Sequence, residues 1–134
     1  MTEENKKLNV QFEWERAGES IRAAEVLLSQ DLWADTVSKA YYGMFHLARA
    51  LLFSLGMEAK THGGMVHLMS MHLVRTGELP SSMVQDFSLM QKRREDADYQ
   101  VAMRFERSNA LEARELLLRF RKETETFLRL KGYL

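Results

Sequence analysis

Arg94 and Asp98 stand four residues apart in the string Arg93-Arg94-Glu95-Asp96-Ala97-Asp98-Tyr99. Arg94 falls on a stripe at helical spacing: Met83, Phe87, Met90, Arg94, Ala97, Val101. That stripe reserves the position for an apolar side chain. A guanidinium stays charged at any working pH, so burying it unpartnered costs on the order of several kcal/mol. Two readings are open. Arg94 pairs with Asp98 one turn along the face, or reaches solvent at a bundle end, as a structural feature. Alternatively it lines a cleft for an anion such as a phosphate, which its planar fork fits.

His62 is the second polar residue on an apolar stripe, ahead of Val66, Met69 and Leu73. It stands at a helix start, where free N–H groups favour anions. Lys60 adds charge beside it, and Gly63 and Gly64 let backbone approach a ligand closely. The plainer reading is a helix-end histidine with its own hydrogen-bond partner.

Other constellations are weaker. His67 and His72 are five apart, which is a poor spacing for one metal, and His46 stands alone. No His-x-x-x-His, paired-Cys or Glu-x-x-His pattern occurs, so no metal or other cofactor is expected. Walker loops, Gly-x-Gly-x-x-Gly and nucleophile elbows are also absent.

These residues need a scaffold, and the composition indicates which kind. The chain has 134 residues, with 19 basic and 19 acidic side chains, one proline, seven glycines and no cysteine. Balanced charge argues against a broad field for a nucleic-acid duplex or a membrane. A basic series on the last helix, Arg114, Arg119, Arg121, Lys122, Arg129 and Lys131, is interrupted by Glu112, Glu115, Glu123 and Glu125 and reads as a solvated face. Lack of cysteine fits a reducing, cytoplasmic setting. No run approaches the roughly 18–20 apolar residues of a spanning helix, and the polar start lacks a secretory pattern.

The periodicity predicts five helices and one domain over 1–134, with a core of about 8–131. The first spans about 8–29, with Trp14, Ala17, Ile21, Ala24 and Leu28 inward and Glu13 among the solvated residues. The second, to about residue 55, is apolar nearly all round and must be the buried rod. Its stripe is Val37, Tyr41, Met44, Ala48, Leu51, Leu55, with Asp31 or Asp35 as cap and Gly56 as stop. Thr61 caps a third helix reaching Arg75, and Ser81 or Ser82 a fourth. Ser108 or Asn109 caps a fifth, whose stripe is Ala110, Ala113, Leu117, Phe120, Thr124, Phe127. If helices three and four are antiparallel neighbours, His62 and Arg94 share one bundle end. Lys60, His62, Arg94, Asp98 and Tyr99 then form one cluster, with Tyr41 or Tyr42 at its border.

With these residues in hand, the chain resembles the HEPN domains. The resemblance is carried by Ala-Tyr-Tyr-x-Met-Phe-x-x-Ala-x-Ala-Leu-Leu at 40–52, Lys-Thr-His-x-Gly at 60–64 and Arg-x-x-x-Asp-Tyr at 94–99. It covers about residues 10–130. It implies an all-α, antiparallel up-and-down four-helix bundle with an additional fifth helix, usually paired as a homodimer. Active HEPN proteins are metal-independent RNases with an Arg-x(4–6)-His motif at the dimer cleft. Many are toxins encoded beside a minimal nucleotidyltransferase, and nucleotide binding has been proposed for the family. This chain departs from the motif: with four residues between, Arg94 is followed by Tyr99 and Arg93 by Asp98, and no histidine follows His72.

The resulting expectation is a dimeric HEPN-like module that binds a nucleotide or an RNA phosphate. Its site would comprise Lys60, Thr61, His62, Arg93, Arg94, Asp98 and Tyr99. It would work in a toxin–antitoxin or nucleotidyltransferase-associated system, with the RNase motif degenerate. Two alternatives stand beside it. One is an active endoribonuclease toxin in which His62 and Arg94 are catalytic. The other is a non-catalytic interaction module.

Overall fold

The computed structural model describes all residues, Met1–Leu134. Five helices follow one another without a strand: α1 (Glu3–Ser29), α2 (Trp33–Ser54), α3 (His62–Met69), α4 (Ser81–Tyr99) and α5 (Arg107–Leu130). A π turn over Ser70–Val74 extends α3. No helix is long and apolar enough to cross a membrane.

α2 is the rod. Thirteen of its 22 residues are buried, and it packs against every other helix. Its predicted stripe holds: Val37, Tyr41, Met44, Ala48 and Leu51 are all buried. The close approach of α5 depends on Gly43, where a Cβ would lie 2.9 Å from Leu117 Cδ1. The α5 stripe is buried throughout, from Ala110 to Phe127. The chain ends also meet, because Tyr133 Oη donates to Glu3 Oε2 at 3.2 Å.

Helix boundaries follow local chemistry, sometimes against expectation. α1 starts ahead of its apolar stripe because Thr2 Oγ1 accepts the Asn5 N–H at 3.1 Å, and Glu3 and Glu4 suit the positive helix end. Neither Asp31 nor Asp35 caps α2. Asp31 turns the chain with φ 60°, Leu32 is the cap residue without a side-chain bond, and Asp35 lies in the first turn. Gly56 stops α2 as expected, at φ 74°, its N–H bonded to Phe53 O while Met57 N–H reaches Leu52 O. Thr61 caps α3 by accepting the Gly64 N–H at 3.0 Å.

Three corrections concern the later helices. Pro80 occupies the α4 cap position, so Ser81 and Ser82 begin the helix instead of capping it. α4 ends at Tyr99, which leaves Val101 off the stripe and 98% exposed. The cap of α5 is Glu106, which forms a capping box with Asn109, whose Oδ1 accepts the Glu106 N–H at 2.8 Å. The basic residues of α5 are largely neutralised: Arg114 by Glu25, Arg119 by Asp86, Arg121 and Arg129 by Glu125, and Lys131 by Glu78.

Candidate functional site

Tyr41, on the buried rod, is where the polar residues converge. It is 3% exposed, and its ring stacks on Phe87 of α4 at 5.6 Å and 8°. Its hydroxyl shares a 3.0 Å hydrogen bond with His62 Nδ1. The His62 ring lies 4.4 Å from that of Phe87. The Thr61 cap fixes the first turn of α3, and that turn carries His62 to Tyr41.

Arg94 reaches the same phenol from α4. Its guanidinium carbon is 5.3 Å from the Tyr41 ring and 6.0 Å from those of Tyr42 and Tyr99. Such ring faces attract a cation. Arg94 Nη1 donates to Asp98 Oδ2 at 3.4 Å, and Nη2 donates to Gln91 Oε1 at 3.1 Å. Only 14% of the side chain is exposed, and its Nε is buried without a partner.

The electrostatics follow from this packing. Burial pushes the Tyr41 hydroxyl up to about 12, so it keeps its proton. Burial pushes His62 below its ordinary 6.5; Glu95 pulls the other way, and the Arg94 charge adds a smaller downward push. His62 is therefore a neutral imidazole near pH 7. Burial opposes the Arg94 charge, but the Asp98 hydrogen bond and the neighbouring phenols outweigh it and hold the group protonated. A neutral imidazole and a fixed cation on one phenol can take up a proton and an anion, respectively.

The expected cluster is brought together in part. His62, Arg94 and Asp98 meet around Tyr41 and Tyr42, and Tyr99 flanks Arg94 while 71% exposed. Lys60 is exposed in the connection that leads to His62, and Thr61 is engaged as the helix cap. Arg93 does not join them. One residue along a helix turns a side chain by about 100°, and Arg93 Nη2 pairs with Glu112 of α5 at 3.3 Å. The cluster is an open face: none of the surface clefts is lined by His62 or Arg94. No trio of His, Asp and Glu side chains is placed to hold a metal ion.

A second polar group escaped the sequence reading. Glu13 of α1 accepts from His46 Nδ1 at 2.7 Å and from Arg49 Nε at 2.9 Å, both on α2. The signal was present in the spacing. Glu13 lies three residues after Val10 and four before Ala17, both fully buried.

Comparison with known proteins then gives a family. The model of the HEPN domain matches residues 10–127. A UPF0332 protein of Gloeobacter violaceus is 41% identical over 66 residues, 49% of this chain and 52% of that one. A Methanocaldococcus jannaschii protein named as a toxin candidate is 36% identical over 63 residues, 47% of each chain. A UPF0332 protein of Thermotoga maritima is 27% identical over 106 residues, 78% of this chain and 80% of that one. The chain spans about half the length of the first two relatives.

Proposed function

Because this chain belongs to the HEPN domain family, we propose that it is a dimeric module binding a phosphate of a nucleotide or RNA at the Tyr41 face. Arg94 is the anion-binding group, Asp98 holds its fork, His62 and Tyr99 border the anion, and Lys60 adds charge from the preceding connection. One observation carries the reading. The fixed cation of Arg94 and the neutral imidazole of His62 rest on the same buried phenol, on an open face. A second copy laid on that face would turn it into a cleft. The toxin-candidate name of the M. jannaschii relative supports a toxin–antitoxin setting; the partner we propose there, a minimal nucleotidyltransferase, rests on the family resemblance alone.

The same juxtaposition favours a second reading, an endoribonuclease. His62 would take the proton of a ribose 2′-hydroxyl while Arg94 stabilises the phosphate charge. The 2′ oxygen bonds to phosphorus, the bond to the 5′ oxygen breaks, and that oxygen is protonated by solvent. Against it stands the missing Arg-x(4–6)-His pattern.

One experiment separates these. The wild type, Arg94→Ala and His62→Ala are incubated with small structured RNAs in chelator, and their affinity for AMP is measured by calorimetry. On the binding reading, no RNA is cut and Arg94→Ala weakens AMP by about 1–3 kcal/mol, the scale of a charge-assisted contact. Cleavage abolished by both substitutions establishes the nuclease. Equal AMP affinity with only a lower melting temperature refutes both and leaves an interaction module.

A further inference from the structure

The connection from α2 to α3 carries His62 to Tyr41, and one guanidinium holds that connection. Arg49 sits on α2, facing α1. Its Nε donates to Glu13 Oε1 at 2.9 Å, and its Nη1 donates to the carbonyl of Ala59 at 3.3 Å. Its Nη2 lies 3.7 Å from Glu58 Oε1. The rings of Phe53 and Phe45 lie 5.2 and 5.9 Å from its guanidinium carbon. His46 Nδ1 donates to the other Glu13 oxygen, so the carboxylate is held on both sides.

Ala59 is the pivotal acceptor. It stands two residues before the Thr61 cap and three before His62. Its Cβ lies 3.3 Å from where a Gly64 Cβ would be, so it packs on the first turn of α3. Holding the Ala59 carbonyl therefore fixes where that turn begins.

We infer that Arg49 and Glu13 are positioning residues that set His62 against Tyr41, and so shape the proposed anion site without touching its ligand. Its consequence for ligand rests on the reading above; the placement of His62 does not. The charged or titratable groups that act on His62 are Tyr41 of α2, through its hydrogen bond, and Arg94 and Glu95 of α4. None of them belongs to the clamp. A shift in His62 titration on altering Arg49 would therefore report movement of His62 itself, not loss of a neighbouring charge.

The test follows His62 by NMR titration in the full chain, in wild type, Arg49→Met, Arg49→Lys and Glu13→Gln. Phe127→Leu, a core change on α5, serves as a control for general destabilisation. We expect the depressed His62 titration to move toward its ordinary value in Arg49→Met and Glu13→Gln. Arg49→Lys should restore part of the shift, and Phe127→Leu should leave it in place. AMP affinity should fall about tenfold in Arg49→Met, about 1.4 kcal/mol. Unchanged His62 titration in Arg49→Met, or an equal change in Phe127→Leu, overturns the clamp. Should Arg49→Met fail to fold, Glu13→Gln carries the same comparison. If the wild type binds no AMP, the anion reading fails and the titration still decides the clamp.

Discussion

Tyr41→Phe isolates the bond on which the candidate site is built. The substitution keeps the ring, so the stack on Phe87 and the face under Arg94 persist. Only the hydroxyl leaves, and with it the 3.0 Å bond to His62 Nδ1. A net hydrogen bond contributes about 0.5–1.5 kcal/mol, and a partner left dry adds up to about 1–3 kcal/mol. His62 is half-buried, so water can reach its ring once the hydroxyl is gone. The loss should therefore sit near the lower figures, about 1–1.5 kcal/mol by urea unfolding at pH 8. The pH is chosen for its sign. The folded His62 titrates below its ordinary 6.5, so it favours folding fully above that value and less as pH falls through its folded pKa. At pH 8 the imidazole is neutral in both states and the hydrogen bond is read alone. A double-mutant cycle with His62→Ala should give a coupling of about 1 kcal/mol. A coupling indistinguishable from zero would refute the claim that Tyr41 and His62 form one energetic unit.

Other expectations follow from named contacts. Gly43→Ala places a Cβ 2.9 Å from a Leu117 methyl. Overpacking should cost about 1–3 kcal/mol, offset by about 0.5–1 kcal/mol of helix propensity, and Leu117→Val in the same chain should recover most of the loss in melting temperature. Glu13 gives an acid limb to stability. Burial opposes its charge, yet the bonds from His46 and Arg49 hold its carboxyl below the ordinary 4.5. Its contribution is present above that value and lost as pH falls through the lowered one. Glu13→Gln should accordingly flatten the stability profile below about pH 4.5, as followed by circular dichroism.

What the sequence made legible divides along physical lines. α2 could be read because a helix buried on nearly all sides carries its signal in every residue. Thr61 could be read because a cap and the N–H it accepts from lie three residues apart. Asn109 was found with the wrong role, since in this capping box the small polar side chain stands at the third helical position and Glu106 takes the cap. Val101 misled because spacing alone does not show where a helix stops. Arg94 and Arg93 are neighbours on one helix, and only the placement of α5 decides that Arg93 turns to Glu112. Glu13 and His46 are 33 residues apart, and their contact depends on the packing register of α1 against α2, which periodicity does not encode.

The meeting of Tyr133 with Glu3 has a topological consequence. Glu3 opens α1 and Tyr133 follows α5, so the start of α1 and the end of α5 lie side by side around α2. Joining such ends across a short gap costs little loop-closure entropy. Thr76, Gly77 and Glu78 are exposed and form a turn between elements. The order of the helices along the chain is thus separable from their arrangement in space. A rotated order beginning at α4 and ending after α3 describes the same packed object, with α2 still at its centre.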